Sequence, residues 1–162
     1  MNAREIKTVQ RRAFFKNALA VGGGLSIWGC SGLKALASQD GPGRDIPQAV
    51  LNWANGQPLQ YGRIHLSLPP LVENGFLVRM SVRVESPMTE SDHVEELRIF
   101  SELNPSPFIA NFFHGPQLPE TRVETRIRLA DSQAVWAVAR TNTGDLWCSY
   151  QQVIVTLAAC AG

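Results

Sequence analysis

The sequence predicts an all-β protein, an immunoglobulin-like antiparallel β-sandwich with a short N-terminal helix and a flexible C-terminal arm that carries a cysteine. Two observations favour this fold. After residue 60, apolar and polar residues alternate with a period of two, as in strands that bury one face. Turn-forming residues separate about seven such segments at intervals of roughly 8 to 12 residues, which is typical of an immunoglobulin-type sandwich.

Length and charge exclude several classes of protein. The 162 residues suit one globular domain and a removable leader. The 15 lysine and arginine residues nearly balance the 14 acidic residues, so nothing indicates a nucleic-acid partner. No apolar run reaches the roughly 18 residues that a transmembrane helix needs.

Residues 1–37 have the three parts of an export signal. A positively charged region is followed by a moderately apolar stretch at 18–28 and by the small-x-small cleavage site at 35–37. Within the positive region, Arg11 and Arg12 precede an aromatic residue and a lysine, and this pattern resembles the twin-arginine export signal. We expect export to the periplasm by that route, with cleavage after residue 37 and no membrane segment afterwards. The alternative, an amphipathic helix of a cytosolic protein, is disfavoured by three consecutive glycines.

The first element expected in the mature chain is a short helix. Asp45 is placed to cap it, and Gly56 and Pro58 are placed to end it. Its apolar side is expected to carry Ile46, Val50, Leu51 and Trp53.

Strands are expected to follow in an antiparallel series. Residues 73–75 predict a tight turn and residues 141–145 a hairpin turn. Residues 108–113 are apolar on both faces, so we expect a strand that is covered on both sides. The predicted strands lie at 64–68, 76–84, 94–103 with Leu97 and Ile99 inward, 108–113, 122–129, 135–140 and 146–150, with 153–157 closing the series.

Candidate catalytic and metal-binding residues are scarce. His65, His93 and His114 have no metal-ligand spacing, so we expect them at the surface or rim. The carboxylates at positions 92, 95 and 96 could form a cluster, but they precede or open a strand and are expected to be solvated. We therefore expect no metal, no cofactor and no active site that performs chemistry alone.

The C-terminus is the most informative segment. Buried cysteines normally lie among bulky neighbours, whereas Cys160 is flanked only by small residues near a free end. Residues 156–160 reach roughly 13 Å at about 3.3 Å per residue, so this thin arm can enter a cleft of another protein. A tail with an incidental cysteine is the alternative. Cys148 instead alternates with Leu146 and Tyr150, and we expect it to be packed and unreactive.

Several segments of the chain occur together in a characteristic order. They are the twin-arginine leader, VENG at 72–75, ESPMT at 85–89, NPSP at 104–107, TRIRLA at 125–130 and the C-terminal cysteine. In these segments the sequence resembles the SoxY family, the sulfur-carrier subunits of the bacterial thiosulfate-oxidising (Sox) system. The resemblance implies an immunoglobulin-like sandwich that forms a heterodimer with a second small sandwich protein, SoxZ. It also implies that Cys160 holds sulfur intermediates on which haem-containing, hydrolytic and molybdenum enzymes act in turn, while the carrier itself is not an enzyme and holds no metal or haem.

These inferences divide the chain into a signal peptide at 1–37, a sandwich domain at 38–157 and an arm at 158–162. The family arm is normally two glycines, a cysteine and two glycines; here Ala158, Ala159 and Ala161 replace glycines, and only Gly162 agrees. Alanine has less backbone freedom than glycine, so a divergent scaffold that no longer carries sulfur is the alternative function. A thiol enzyme is disfavoured because no second thiol or base lies near Cys160 in the sequence. A dimer linked through Cys160 is also expected.

Overall fold

The described part of this computed structural model, residues 43–157, contains one helix and nine strands. These elements are α1 (Gln48–Ala54), β1 (Leu59–Tyr61), β2 (Ile64–Ser67), β3 (Leu71–Asn74), β4 (Val78–Val84), β5 (Val94–Ser101), β6 (Phe108–Phe113), β7 (Thr121–Ile127), β8 (Gln133–Thr141) and β9 (Leu146–Leu157). No helix in this part of the chain is long and apolar enough to cross a bilayer.

The strands form two sheets, which confirms the predicted all-β, immunoglobulin-like sandwich. The larger sheet has the order β1-β9-β8-β5-β6, with β3 also paired to β9, and the smaller sheet has the order β2-β4-β7. Neighbouring strands are antiparallel, except that β1 and β3 both add to β9 in parallel. The predicted hairpin is present, since β8 and β9 pair from Arg140 opposite Leu146 onward.

The main core lies between the two sheets and comes from alternate residues of facing strands. Val82 of β4, Leu97 and Ile99 of β5 and Val135 of β8 are fully buried there, so both inward positions predicted for β5 are confirmed. Burying such side chains is worth roughly 1.5–3 kcal/mol each, which stabilises the stacking of the sheets.

A second core lies on the opposite face of the larger sheet, beneath α1. Val50 of the helix packs in the same cluster as Trp136, Cys148 and Tyr150, and the Trp136 and Tyr150 rings stack with centroids 4.7 Å apart. The larger sheet is therefore covered on both faces around β8 and β9.

The predicted helix exists, but its cap and one of its buried positions were wrong. Pro47, not Asp45, occupies the N-cap position, and no side chain caps the helix. Leu51 is exposed, whereas Val50 and Ala54 are buried. Residues four apart lie on one helical face, and the predicted Trp53 also packs, partly buried, against the same cluster. Leu51, the residue after Val50, projects away from that face.

Two strands were not predicted, and one turn was displaced. Residues 73 and 74 belong to β3, and the turn falls at 75–77, where the Asn74 side chain accepts a hydrogen bond from the Phe76 amide at 2.8 Å. Phe76 is consequently half exposed and outside β4, whose first residue is Val78. Both β1 and β3 owe their strand conformation to parallel pairing with β9, a distant segment that local alternation does not reveal.

The covered strand predicted at 108–113 is instead an edge strand. Among the described strands, β6 pairs only with β5, and none of its six residues is fully buried. The ring centroids of Phe108 and Phe100 lie 6.1 Å apart, whereas the Phe113 side chain is 78% exposed. The apolar pattern on both faces therefore reflects partial cover and an open edge.

Candidate functional site

The last strand, β9, delivers the chain to the predicted arm. Its first eight residues pair with β8, and three of its last four pair with β3, where Ile154 lies opposite Leu71 and Leu157 opposite Asn74. The Ile154 amide also donates to the Pro70 carbonyl at 2.9 Å. β9 is thus held as a strand to the last described residue.

Two hydroxyl side chains hold the end of β9 where β8 no longer reaches. Ser132 accepts a hydrogen bond from the Val155 amide at 2.9 Å and lies 3.3 Å from the Val155 carbonyl. On the other edge, the Thr156 hydroxyl donates to the Glu73 carbonyl at 3.1 Å. The segment that precedes the arm is therefore anchored on both edges.

The residues predicted to carry function lie beyond this anchor. Ala158, Ala159, Cys160, Ala161 and Gly162 are outside the described residues. Cys160 follows Leu157 by three residues, so an extended backbone places its Cα within roughly 10 Å of the end of β9. Arg11 and Arg12 of the predicted export signal are also outside the described part of the chain.

Four exposed apolar side chains lie on the strands and turn at the end of β9. Leu71 and Ile154 are cross-strand partners, 59% and 53% exposed, and Phe76 and Leu77, 50% and 63% exposed, follow Asn74, the partner of Leu157. We call these four residues the apolar collar. Groups of exposed apolar side chains are typical of contact surfaces.

The other cysteine of the domain is enclosed, as predicted. Cys148 is fully buried beneath α1, and burial raises the pKa of its thiol to about 11 despite an opposing hydrogen bond with Tyr61. Burial likewise raises the pKa of Tyr61 to about 12. Because the thiolate is the nucleophile, Cys148 is unreactive near neutral pH.

One of the predicted solvated carboxylates is buried. Glu96 has only 6% of its surface exposed, accepts hydrogen bonds from Arg98 and Asn111, both at 2.7 Å, and lies 3.5 Å from Arg140. A β5 side chain on the helix side is enclosed by its strand neighbours, which the sequence did not show. This carboxylate lies between two arginines, and its contacts are with neighbouring strand residues.

The remaining polar candidates do not converge. His65 lies 2.6 Å from Glu85 and His93 contacts the Thr89 carbonyl at 2.9 Å, both near the surface, while burial lowers the pKa of His114. Within residues 43–157, no three His, Cys, Asp or Glu side chains are close enough to hold a metal ion.

The fold and the site together define an immunoglobulin-like sandwich whose last strand leads directly into a cysteine-bearing C-terminus. The chain belongs to the SoxY family: the family model described as sulfur oxidation protein SoxY matches residues 52–160, so the match extends to Cys160. No curated protein sequence matches the chain.

Two solved structures illustrate the fold. The sulfur carrier protein SoxY from Chlorobium limicola f thiosulfatophilum superposes with a TM-score of 0.56 and 26% identity, covering 67% of this chain and 94% of that one. A superoxide reductase (neelaredoxin) from Ignicoccus hospitalis superposes with a TM-score of 0.52 and 17% identity, covering 57% of this chain and 79% of that one. At that lower identity the likeness to the reductase shows the shared sandwich alone.

Proposed function

We propose that this protein is a covalent carrier of sulfur intermediates in periplasmic thiosulfate or sulfur oxidation. Cys160 holds the intermediate, and residues 158–162 present it to partner enzymes that perform the chemistry, so the carrier itself is not catalytic. The observation that carries this proposal is the anchored end of β9, which in a SoxY-family sandwich leads within three residues to Cys160.

The anchor gives the arm a fixed pivot. The hydrogen bonds of Ser132 and Thr156 hold the strand to residue 156, so the point from which the proposed arm departs is fixed relative to the domain. A short tether keeps the thiol at high local concentration near any enzyme that docks on the apolar collar. In this proposal the surface of the domain binds the enzyme, and the arm presents the thiol to it.

The two cysteines of the sandwich and arm have separate roles in this proposal. Cys148 lies nine residues before the end of β9, or roughly 30 Å along an extended strand, whereas three arm residues reach back only about 10 Å. A disulfide requires Cα atoms within about 7 Å. Cys160 therefore cannot pair with Cys148 in one folded chain, and it is left for cargo or for a Cys160-linked dimer.

The proposed export signal ends before the first anchored residue. Arg44 donates to Glu102 at 2.7 and 2.5 Å and to Gln152 at 3.1 Å, so cleavage after residue 37 leaves these contacts intact. Burial alone would raise the pKa of Glu102, but hydrogen bonds from Arg44 and Trp136 outweigh it and lower the pKa. Retained export after Arg11 and Arg12 are both changed to Lys would refute the twin-arginine route.

The proposed partner is a SoxZ-like sandwich subunit, and the open edge of β6 supports it. From Phe108 to Phe113 this strand has no charged residue and no proline. Native sheets usually protect such edges with charges or cover them. β7, an edge of the smaller sheet, follows that rule with Arg122, Glu124 and Arg126, so β6 is the edge suited to a partner strand.

The intact mass of protein purified from its native host tests the carrier role. Sulfur or sulfonate additions that map to Cys160, and that disappear in Cys160→Ser, are expected. The three alanines of the arm favour one second candidate, a scaffold that binds the same partners without cargo. A thiol that is always unmodified in cells oxidising thiosulfate would support that candidate and refute the carrier.

A further inference from the structure

The outer face of the smaller sheet carries a row of arginines in two cross-strand pairs. Arg79 of β4 lies directly opposite Arg126 of β7, and Arg83 lies opposite Arg122. All four side chains are exposed on the face that points away from the core. Like charges directly opposite on neighbouring strands are destabilising, so each pair needs compensation.

Only one of the two pairs is compensated within the protein. Arg122 forms a hydrogen-bonded ion pair with Glu124, and Arg83 lies 3.6 Å from Glu85. Among residues 43–157, neither the Arg79 nor the Arg126 guanidinium has an ion pair or hydrogen bond. Two facing cations are thus left without an ion-pair partner among these residues.

A cavity lies over this uncompensated pair. It has a volume of about 860 Å³, and its lining includes both arginines and the Ser67 and Ser81 side chains, which are themselves cross-strand partners. Pro69 and Glu124 also contribute to the lining, the latter already engaged by Arg122. The surface therefore presents two guanidinium forks and two hydroxyl groups at one place.

We propose that Arg79 and Arg126 form a binding subsite for a sulfur oxyanion such as sulfate, thiosulfate or a sulfonate group. Guanidinium forks match the paired oxygens of tetrahedral oxyanions, and hydroxyl donors complete the coordination. An oxyanion between the two arginines replaces like-charge repulsion with attraction. The subsite itself follows from this charge arrangement.

The position of the subsite suggests two sources for the anion. The Arg79–Arg126 pair is the second rung of the β4–β7 ladder, next to Val78 opposite Ile127. That end of the sandwich also contains the bond from the Leu129 amide to the Gly75 carbonyl, one residue after Asn74, the partner of Leu157. The oxyanion is therefore either free in solution or attached to Cys160; only the second source rests on the proposed carrier function.

The first experiment tests the subsite with free anions. The first variant is the full chain with Cys160→Ser and with Cys30→Ser, which removes the cysteine of the predicted leader. Its Tm is measured in chloride, sulfate and thiosulfate at matched ionic strength. Sulfate stabilises proteins in general, so the comparison is between variants. We expect Arg79→Gln and Arg126→Gln to raise the Tm in chloride and to lose the extra rise with divalent oxyanions. Arg83→Gln, on the same face but beside Glu85, should retain that rise.

The second experiment separates the two sources. In the chain with Cys30→Ser alone, tetrathionate loads Cys160. The Cys160 thiolate attacks a central sulfur of tetrathionate, thiosulfate leaves, and an –S–SO₃⁻ group stays bonded to the cysteine sulfur. If the bound anion is the cargo, loading raises the Tm in chloride, Arg79→Gln removes that gain, and added thiosulfate has no further effect. If it is the free ion, loaded and unloaded chains respond to thiosulfate alike. An equal oxyanion response in Arg79→Gln, Arg126→Gln and Arg83→Gln overturns the subsite, whether or not Cys160 carries cargo.

Discussion

Tyr61 lies directly opposite Cys148 in the parallel pairing of β1 with β9, and the two side chains share a hydrogen bond beneath α1. This contact encloses the thiol of the sandwich domain. The proposed carrier consequently has one sheltered cysteine and one at the end of a short arm, and the two should differ in every chemical assay.

The alkaline stability of the protein should report on Cys148. Its pKa is about 11 when folded against an ordinary value of 9.0, so the unfolded chain loses this proton first as the pH rises. The stability contributed by the neutral thiol is complete below pH 9 and is lost between about pH 9 and 11. Cys148→Ala should lower the free energy of unfolding at pH 7 by roughly 1 kcal/mol through a small cavity, yet flatten the decline of Tm above pH 9. Cys160→Ser is the control and should leave the decline of Tm with pH unchanged. The same unchanged decline in Cys148→Ala would contradict the burial of Cys148.

Thiol labelling at pH 7 should distinguish the two cysteines in a Cys30→Ser background. Iodoacetamide should modify Cys160 within minutes and leave Cys148 unmodified until the domain unfolds, because only an accessible thiolate reacts. Cys160→Ser should also abolish the reducible dimer, whereas Cys148→Ser should retain it. Equal labelling of both thiols in the native state, measured by peptide mass, would show that the second core opens readily.

Restoring the family glycines should affect partner enzymes and not the fold. Ala158→Gly, Ala159→Gly and Ala161→Gly together should raise turnover of the loaded carrier by standard thiosulfate-pathway enzymes, because glycine gives the arm freedom and removes methyl groups. The Tm should not change, since the arm follows the anchored end of β9. Unchanged turnover would mean that the alanines are a neutral variation.

The apolar collar should contribute to docking of those enzymes. Leu71→Ser combined with Ile154→Ser should lower kcat/KM for loaded carrier by roughly tenfold, as expected for loss of about 1–2 kcal/mol of buried apolar contact. Leu118→Ser is the matched control, since Leu118 is also exposed but follows β6 at the other end of the sandwich. Equal effects of the two changes would remove the collar from the docking surface.

The open edge of β6 should be required for the SoxZ-like partner. Phe113→Lys places a charge on the most exposed residue of this edge and should abolish co-elution of co-expressed subunits on size exclusion. Because Phe113 is mostly exposed, the free energy of unfolding should change by less than about 0.5 kcal/mol. Phe76→Lys, at the opposite end, should leave the heterodimer intact. Normal co-elution of Phe113→Lys with the partner would show that the SoxZ-like subunit does not bind at the β6 edge.

The sequence by itself determined the sandwich class, the β8–β9 hairpin and the burial of Cys148. Each of these depends on local information: alternation with a period of two, or a hairpin turn between adjacent strands. The role of Cys160 stays a prediction. The inward positions of Leu97 and Ile99 followed from the same alternation and were confirmed.

Only the tertiary structure decided the features that depend on pairing between distant segments. Residues 59–61 and 71–74 become strands because β9 offers them a parallel edge, and this pairing anchors the end of β9. The burial of Glu96 and the uncompensated opposition of Arg79 and Arg126 likewise require knowledge of cross-strand neighbours. Periodicity shows which face a side chain occupies, but register and strand order determine what it meets there, and these are set by contacts far apart in the chain.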